Sequence, residues 1–119
     1  MSGATTGKNG VYYGDSKAFL NQRVGKFVIT DDEISYRFII QWAGTATFEN
    51  QLKSKLLAGA QPNISSYDLE LFTIKIPSLD EQQKIADCLS AFDEAIENLQ
   101  KTVDHWGNIK KGLLQQLFE

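Results

Sequence analysis

The last third of the sequence, from Ser78 to Glu119, carries an apolar stripe at helical spacing, and that stripe limits what the chain can become. Ile85, Leu89, Phe92, Ile96, Leu99, Val103, Trp106, Leu113 and Leu117 follow steps of four and three, with Lys110 as the only polar position on the seam. A helix over residues 78–119 would run about 60 Å. A small head cannot cover that length, so the spacing predicts a seam that meets another helix. The flanking positions include Ala86, Cys88, Ala95, Ile109 and Leu114, which widen the apolar face beyond a two-stranded zipper and point to more than one neighbour. The alternative is one amphipathic helix folded back on its own domain, and the length argues against it.

Start and stop signals agree. Ser78 and Glu81 have the spacing of a capping box, Pro77 precedes them, and Asp80 and Glu81 put negative charge on the first turn, where the helix dipole favours it. Lys110 and Lys111 suit the far end. Gly107 and Gly112 each cost about 1 kcal/mol relative to alanine inside a helix, which admits a kink or short break near Gly107.

Residues 1–77 read as a small α+β head. Gly3 to Gly14 is a glycine-rich polar loop interrupted by a short strand, Val11-Tyr12-Tyr13, and Val24 to Ile29 is a second strand. Thr30 and Glu33 form another capping box, opening a helix with Ile34, Phe38 and Trp42 on one face. A further helix buries Phe48, Leu52 and Leu56. Leu57 to Asn63 is a loop, Ser65 and Asp68 start a one- or two-turn helix, and Phe72 to Ile76 is a final strand. A head of about 75 residues is light for an independent core. It opens inside a loop and resembles part of a domain whose earlier strands are absent.

Composition excludes several classes. With 119 residues and 42% hydrophobic content the chain suits one domain plus an extension. No run approaches the roughly 20 apolar residues that span a bilayer, and the N-terminus lacks the apolar core of a signal peptide, so the expected location is the cytoplasm, with no membrane partner. One cysteine and one histidine give neither an internal disulfide nor a zinc cluster. Cys88 reads as a small apolar residue at the seam edge and His105 as a solvated side chain. Net charge is -3, but residues 1–64 carry +2, from seven basic side chains (Lys8, Lys17, Arg23, Lys26, Arg37, Lys53, Lys55) against five acidic ones, whereas residues 78–119 carry -4. A head of that sign can approach phosphate and the helix should avoid it, although mildly basic surfaces are common.

Two segments invite a chemical reading. Gly3-Ala4-Thr5-Thr6-Gly7-Lys8-Asn9 is similar to a phosphate-cradling loop, but three residues separate the glycines instead of four, Asn9 stands where Ser or Thr would bind magnesium, and no strand precedes it. Nucleotide hydrolysis is therefore not expected. Thr5, Thr6, Lys8 and Asn9 suit hydrogen bonding along a DNA groove, and a plain solvent loop fits the composition equally well. Asn21-Gln22-Arg23 has side chains that can read base edges, or a buried Asn21 that serves structure.

Taken in order, four segments resemble the specificity subunit of type I restriction-modification enzymes. They are Leu20-Asn21-Gln22-Arg23-Val24 after the glycine-rich loop; Ala60-Gln61-Pro62-Asn63-Ile64-Ser65 with a short helix and Ile74-Lys75-Ile76-Pro77; Leu79-Asp80-Glu81-Gln82-Gln83-Lys84-Ile85-Ala86; and Leu113-Leu114-Gln115-Gln116-Leu117-Phe118. The resemblance implies target recognition domains held apart by two long antiparallel helices, each domain reading half of a split site in double-stranded DNA. The helices dock the methyltransferase subunit and, through it, the restriction subunit. It implies no catalytic centre and no cofactor of the chain's own, since S-adenosylmethionine and ATP belong to the partner subunits.

This sequence departs from that pattern in having one recognition region, which lacks what looks like its N-terminal half, and one helix. It would be a truncated or half specificity subunit, and a C2 dimer pairing two seams antiparallel would restore two heads, with centres within roughly 10 to 18 base pairs of each other. Lys8, Arg23, Lys53 and Lys55 are then the phosphate candidates, Thr6, Asn9, Gln22 and Gln61 the base-reading candidates, and the nine apolar seam residues the interface. Two other readings remain open. The chain can be an interaction protein that reads no DNA and competes with full-length subunits through its helix, or a piece of a longer subunit.

Overall fold

The computed structural model of the chain describes residues 6–58 and 63–118. Among the described residues four helices follow in order: α1 (Tyr36–Ala43), α2 (Ala46–Ala58), α3 (Ser66–Glu70) and α4 (Leu79–Phe118). The chain divides into two units, Met1–Gln83 and Lys84–Glu119.

The first unit centres on the α1–α2 hairpin. Thr45 both ends α1 and starts α2: its N–H and hydroxyl donate to Trp42 O at 2.9 and 2.7 Å, and its Oγ1 accepts from Phe48 N at 3.2 Å. That turn fixes Phe48, which is 4% exposed and packs edge-on against Phe27, Trp42 and Phe72 at ring-centroid distances of 6.4, 5.0 and 5.4 Å. Phe38, Ala43, Leu52 and Ile64 complete the buried apolar set of this unit. The short helix α3 has the full capping box expected of its sequence. Ser65 Oγ accepts from Asp68 N at 3.1 Å, and Asp68 Oδ2 accepts from Ser65 N at 3.0 Å.

The α+β expectation is overturned: among the described residues there is no strand, only an isolated bridge residue at Asn63. Val11–Tyr13, Val24–Ile29 and Phe72–Ile76 are extended or irregular. Strand propensity is realised only against a pairing partner and a buried face, and among the described residues these segments have no partner strand. Val11, Tyr12, Tyr13, Val24, Phe27 and Val28 stay exposed. Side chains and turns meet backbone groups that a ladder would use: Tyr36 Oη accepts from Ile29 N at 3.1 Å, and Asn21 O accepts from Val24 N at 3.1 Å. At Thr73 the carboxamide of Gln51 stands in for a neighbouring strand, accepting from Thr73 N and donating to Thr73 O, both at 2.8 Å.

The helix expected to open at Thr30 begins instead at Tyr36, with Ser35 as N-cap. Asp31 takes residues 31–34 into a turn, with Ile34 N donating to its carbonyl at 3.1 Å and Glu33 N to its Oδ1 at 2.9 Å. Ser35 makes no side-chain cap; its N–H donates at 2.9 Å to Gln82 Oε1. Gln82 Nε2 donates in turn to Glu33 O at 2.8 Å and Pro77 O at 3.0 Å. This side chain, on the first turn of α4, is fully buried.

The start of α4 follows its signals. Ser78 Oγ accepts from Glu81 N at 3.4 Å, and Ser78 O accepts from Gln82 N at 2.9 Å. The 40 residues of α4 continue without a break through Gly107 and Gly112, so no interruption occurs there. Two glycines dispersed along a long helix are offset by the good helix formers around them and by exposed pairs such as Glu97–Lys101 at 3.0 Å.

Gln82→Leu keeps the volume but leaves one buried donor and two acceptors unpaired. We expect it to cost the first unit about 2 to 4 kcal/mol in urea unfolding, and a loss below about 0.5 kcal/mol would contradict the role given to this amide.

Candidate functional site

The residues singled out in the sequence that the structure describes fall into four separate places. Thr6, Lys8, Asn9 and Lys53 line one open hollow of about 410 Å³, together with Gly44, Thr45 and Glu49. The loop reaches the hairpin because Gly7 takes φ +90°, a left-handed conformation, and lies against Leu52 where a Cβ would collide with the leucine side chain. Asn9 Nδ2 donates to Ala43 O at 3.0 Å, a carbonyl at the end of α1. Lys53 Nζ is paired with Glu49 Oε1 at 2.7 Å, one helical turn earlier and mostly exposed. The hollow is walled mainly by apolar surface, with Phe48, Leu52 and Leu56 in its lining, and carries charges of both signs. Glu49 and the structural use of Asn9 were missed by residue type; the four-residue spacing of Glu49 and Lys53 was the available signal.

Gln22 and Arg23 lie in the exposed turn Asn21–Val24, away from the hollow's lining. Asn21 Oδ1 accepts from Arg23 N at 2.9 Å and its carbonyl from Val24 N, so Asn21 shapes the turn while the side chains of Gln22 and Arg23 are exposed to solvent. Lys55 lines a second hollow of about 330 Å³ with Asn50, Gln51, Ser54, Leu71 and Phe72. Gln61 lies outside the described residues, as do Gly3, Ala4 and Thr5.

The fourth place is α4. Every residue from Ala91 to Phe118 is exposed, including Phe92, Leu99, Val103 and Trp106, each 63 to 67% accessible, and Leu117 at 75%. Ile85 and Leu89 are less so, at 40%. A stripe of that many large apolar side chains is far more than isolated surface hydrophobics. Among the described residues no group of His, Cys, Asp or Glu is arranged to hold a metal ion, and no helix is long and apolar enough to cross a membrane.

The Asp68 carboxyl is held below the usual carboxylate range, first by the Ser65 hydroxyl and then by the Ser65 N–H, with Lys55 adding a weaker attraction against a small opposing desolvation. Because folding lowers this pKa, its contribution to stability is present above the unfolded value and is lost as pH falls through the folded one.

A family model described as "Type I restriction modification DNA specificity domain" matches residues 1–104. Two curated relatives come from Methanocaldococcus jannaschii. The "Type I restriction enzyme MjaVIII specificity subunit" is 30% identical over 103 residues, which is 87% of this chain and 24% of that protein. The "Putative type I restriction enzyme MjaX specificity subunit" is 36% identical over 58 residues, 49% of this chain and 14% of that protein. The chain therefore spans about a quarter of the length of the first relative. No solved structure gives a significant match.

Carbon-detected NMR titration should find the Asp68 carboxyl titrating below an ordinary aspartate, and Ser65→Ala should move it up toward the ordinary value. An unchanged midpoint in Ser65→Ala would remove the hydroxyl as the main cause.

Proposed function

The chain belongs to the type I restriction modification DNA specificity domain family, and from that membership we propose that it is a DNA-recognition and assembly component of a type I restriction-modification system. The observation that carries this is the extent of the family match. It runs unbroken from the head through Asp104, well into α4, so the recognition region and the helix correspond to the family together.

In this reading the first unit approaches duplex DNA with its net positive segment. Lys8, Arg23, Lys53 and Lys55 neutralise phosphates, and Thr6, Asn9, Gln22 and Gln61 lie nearer base edges. The exposed face of α4 joins two copies of the chain and docks a methyltransferase subunit, which brings the restriction subunit. Chemistry on DNA belongs to those partners, and the chain works where cellular DNA is, in the cytoplasm.

A second reading is favoured by two contacts: Lys53 is already paired with Glu49, and the Asn9 amide is committed to Ala43 O. A head with its polar groups so engaged can be inert toward DNA while α4 associates and competes with longer specificity subunits.

Salt separates the two. If four cations contact phosphates, the logarithm of duplex affinity should fall against the logarithm of salt with a slope of about -3 to -4. Binding that is absent or indifferent to salt, in the chain alone and with a methyltransferase subunit, would remove DNA reading and leave the assembly role. For the helix, Phe92→Asp and Leu99→Asp place a carboxylate on the apolar face. Each should abolish self-association in analytical ultracentrifugation while the helical circular dichroism of the head persists. Association that survives both changes would mislocate the interface.

A further inference from the structure

The loop Thr6–Asn9 is fastened to the α1–α2 hairpin on both sides of Lys8, and we propose that Asn9 serves DNA binding as a positioning residue, holding Lys8 where it meets a phosphate, and not as a reader of bases. This rests on the DNA-recognition reading above and changes the part that Asn9 plays in it.

The end of α1 fixes the loop on one side. The carbonyls of Gln41 and Trp42 are met locally, by Gly44 N at 3.1 Å and Thr45 N at 2.9 Å. The Ala43 carbonyl is met from 34 residues away, by Asn9 Nδ2 at 3.0 Å. On the other side of Lys8, Gly7 lies flush against the Leu52 side chain, with φ +90° and no room for a Cβ. One anchor therefore sits on α1 and the other on α2, and the backbone of Lys8 is held between them. Ordering this segment is then a cost of folding and not of binding, which is the advantage of a preorganised contact.

Charge singles out Lys8. The charged side chains in the hollow's lining are Lys8, Lys53 and Glu49. Lys53 and Glu49 neutralise one another at 2.7 Å, whereas Lys8 is exposed and has no ion-pair partner among the described residues. The unbalanced charge of the hollow is thus the Lys8 ammonium, and phosphate is the anion that duplex DNA offers to a single lysine. Asn9 is poorly placed to read a base itself. The paired contact of an asparagine with adenine uses the amide oxygen and nitrogen together, and here the nitrogen is tied to α1.

The test uses the full chain and fluorescently labelled duplexes of several unrelated sequences, titrated across a range of salt. Lys8→Ala and Asn9→Ala should each make the slope of log affinity against log salt shallower by about 1, with the same loss on every duplex. The double variant should bind no more weakly than Lys8→Ala. Gly7→Ala, which dislodges the loop from its other anchor, should match Asn9→Ala, and whichever of the two keeps the helical circular dichroism carries the comparison. A loss in Asn9→Ala confined to one sequence at unchanged slope, or one that adds in full to that of Lys8→Ala, means that Asn9 does not act through Lys8. Unchanged affinity in Asn9→Ala confines the amide to the fold, and an unchanged slope in Lys8→Ala removes the phosphate contact. Each of these overturns the proposal while salt-sensitive binding by the unaltered chain upholds the DNA reading beneath it. An unaltered chain without such binding overturns both.

Discussion

The carboxamide of Gln82 satisfies three backbone groups at once, and the order of the first unit depends on it. Its oxygen takes the Ser35 N–H that would otherwise be an orphan at the start of α1, and its nitrogen reaches the carbonyls of Glu33 and Pro77. An amide buried without such partners is costly; buried with all of them it is specific, because few other side chains offer one acceptor and two donors in that arrangement. The segment before α1, the turn before α4 and the first turn of α4 are thereby joined through one side chain. The aromatic group around Phe48 supplies burial, but non-directional burial does not set where α1 begins. The Asp31 turn does, by holding residues 31–34 outside the helix, and Gln82 then meets the Ser35 N–H at the start so defined.

Gln51 makes the same kind of bond at lower burial. Its pairing with Thr73 uses the geometry of a β-ladder rung without a second strand. The first unit thus contains residues with strand preferences but meets their hydrogen-bonding needs with side chains and turns. Among the described residues the regular structure of this unit is helical, set among longer irregular connections.

The helices were legible in the sequence where their signals are local. The apolar spacing from Ile85 onward, the Ser65–Asp68 box and the line of Phe48, Leu52 and Leu56 all depend on neighbours within a turn or two, and the corresponding helices form. The strands were not legible, because Val24–Ile29 and Phe72–Ile76 show only a preference, and pairing is decided elsewhere in space. The early start assigned to α1 failed for a related reason: Thr30 and Glu33 have the right spacing, but Asp31 captures the local N–H groups first. Of the candidate site, Thr6, Lys8, Asn9 and Lys53 share a hollow, while Arg23 and Lys55 do not join it. Residue type suggested charge, yet only coordinates could reveal that Glu49 meets Lys53 and that Asn9 caps α1.

The bare side of α4 also bears on supply. A chain that leaves Phe92, Trp106 and Leu117 in water is a target for chaperones and proteases until something covers them. Covering that face would then protect the chain as well as position it.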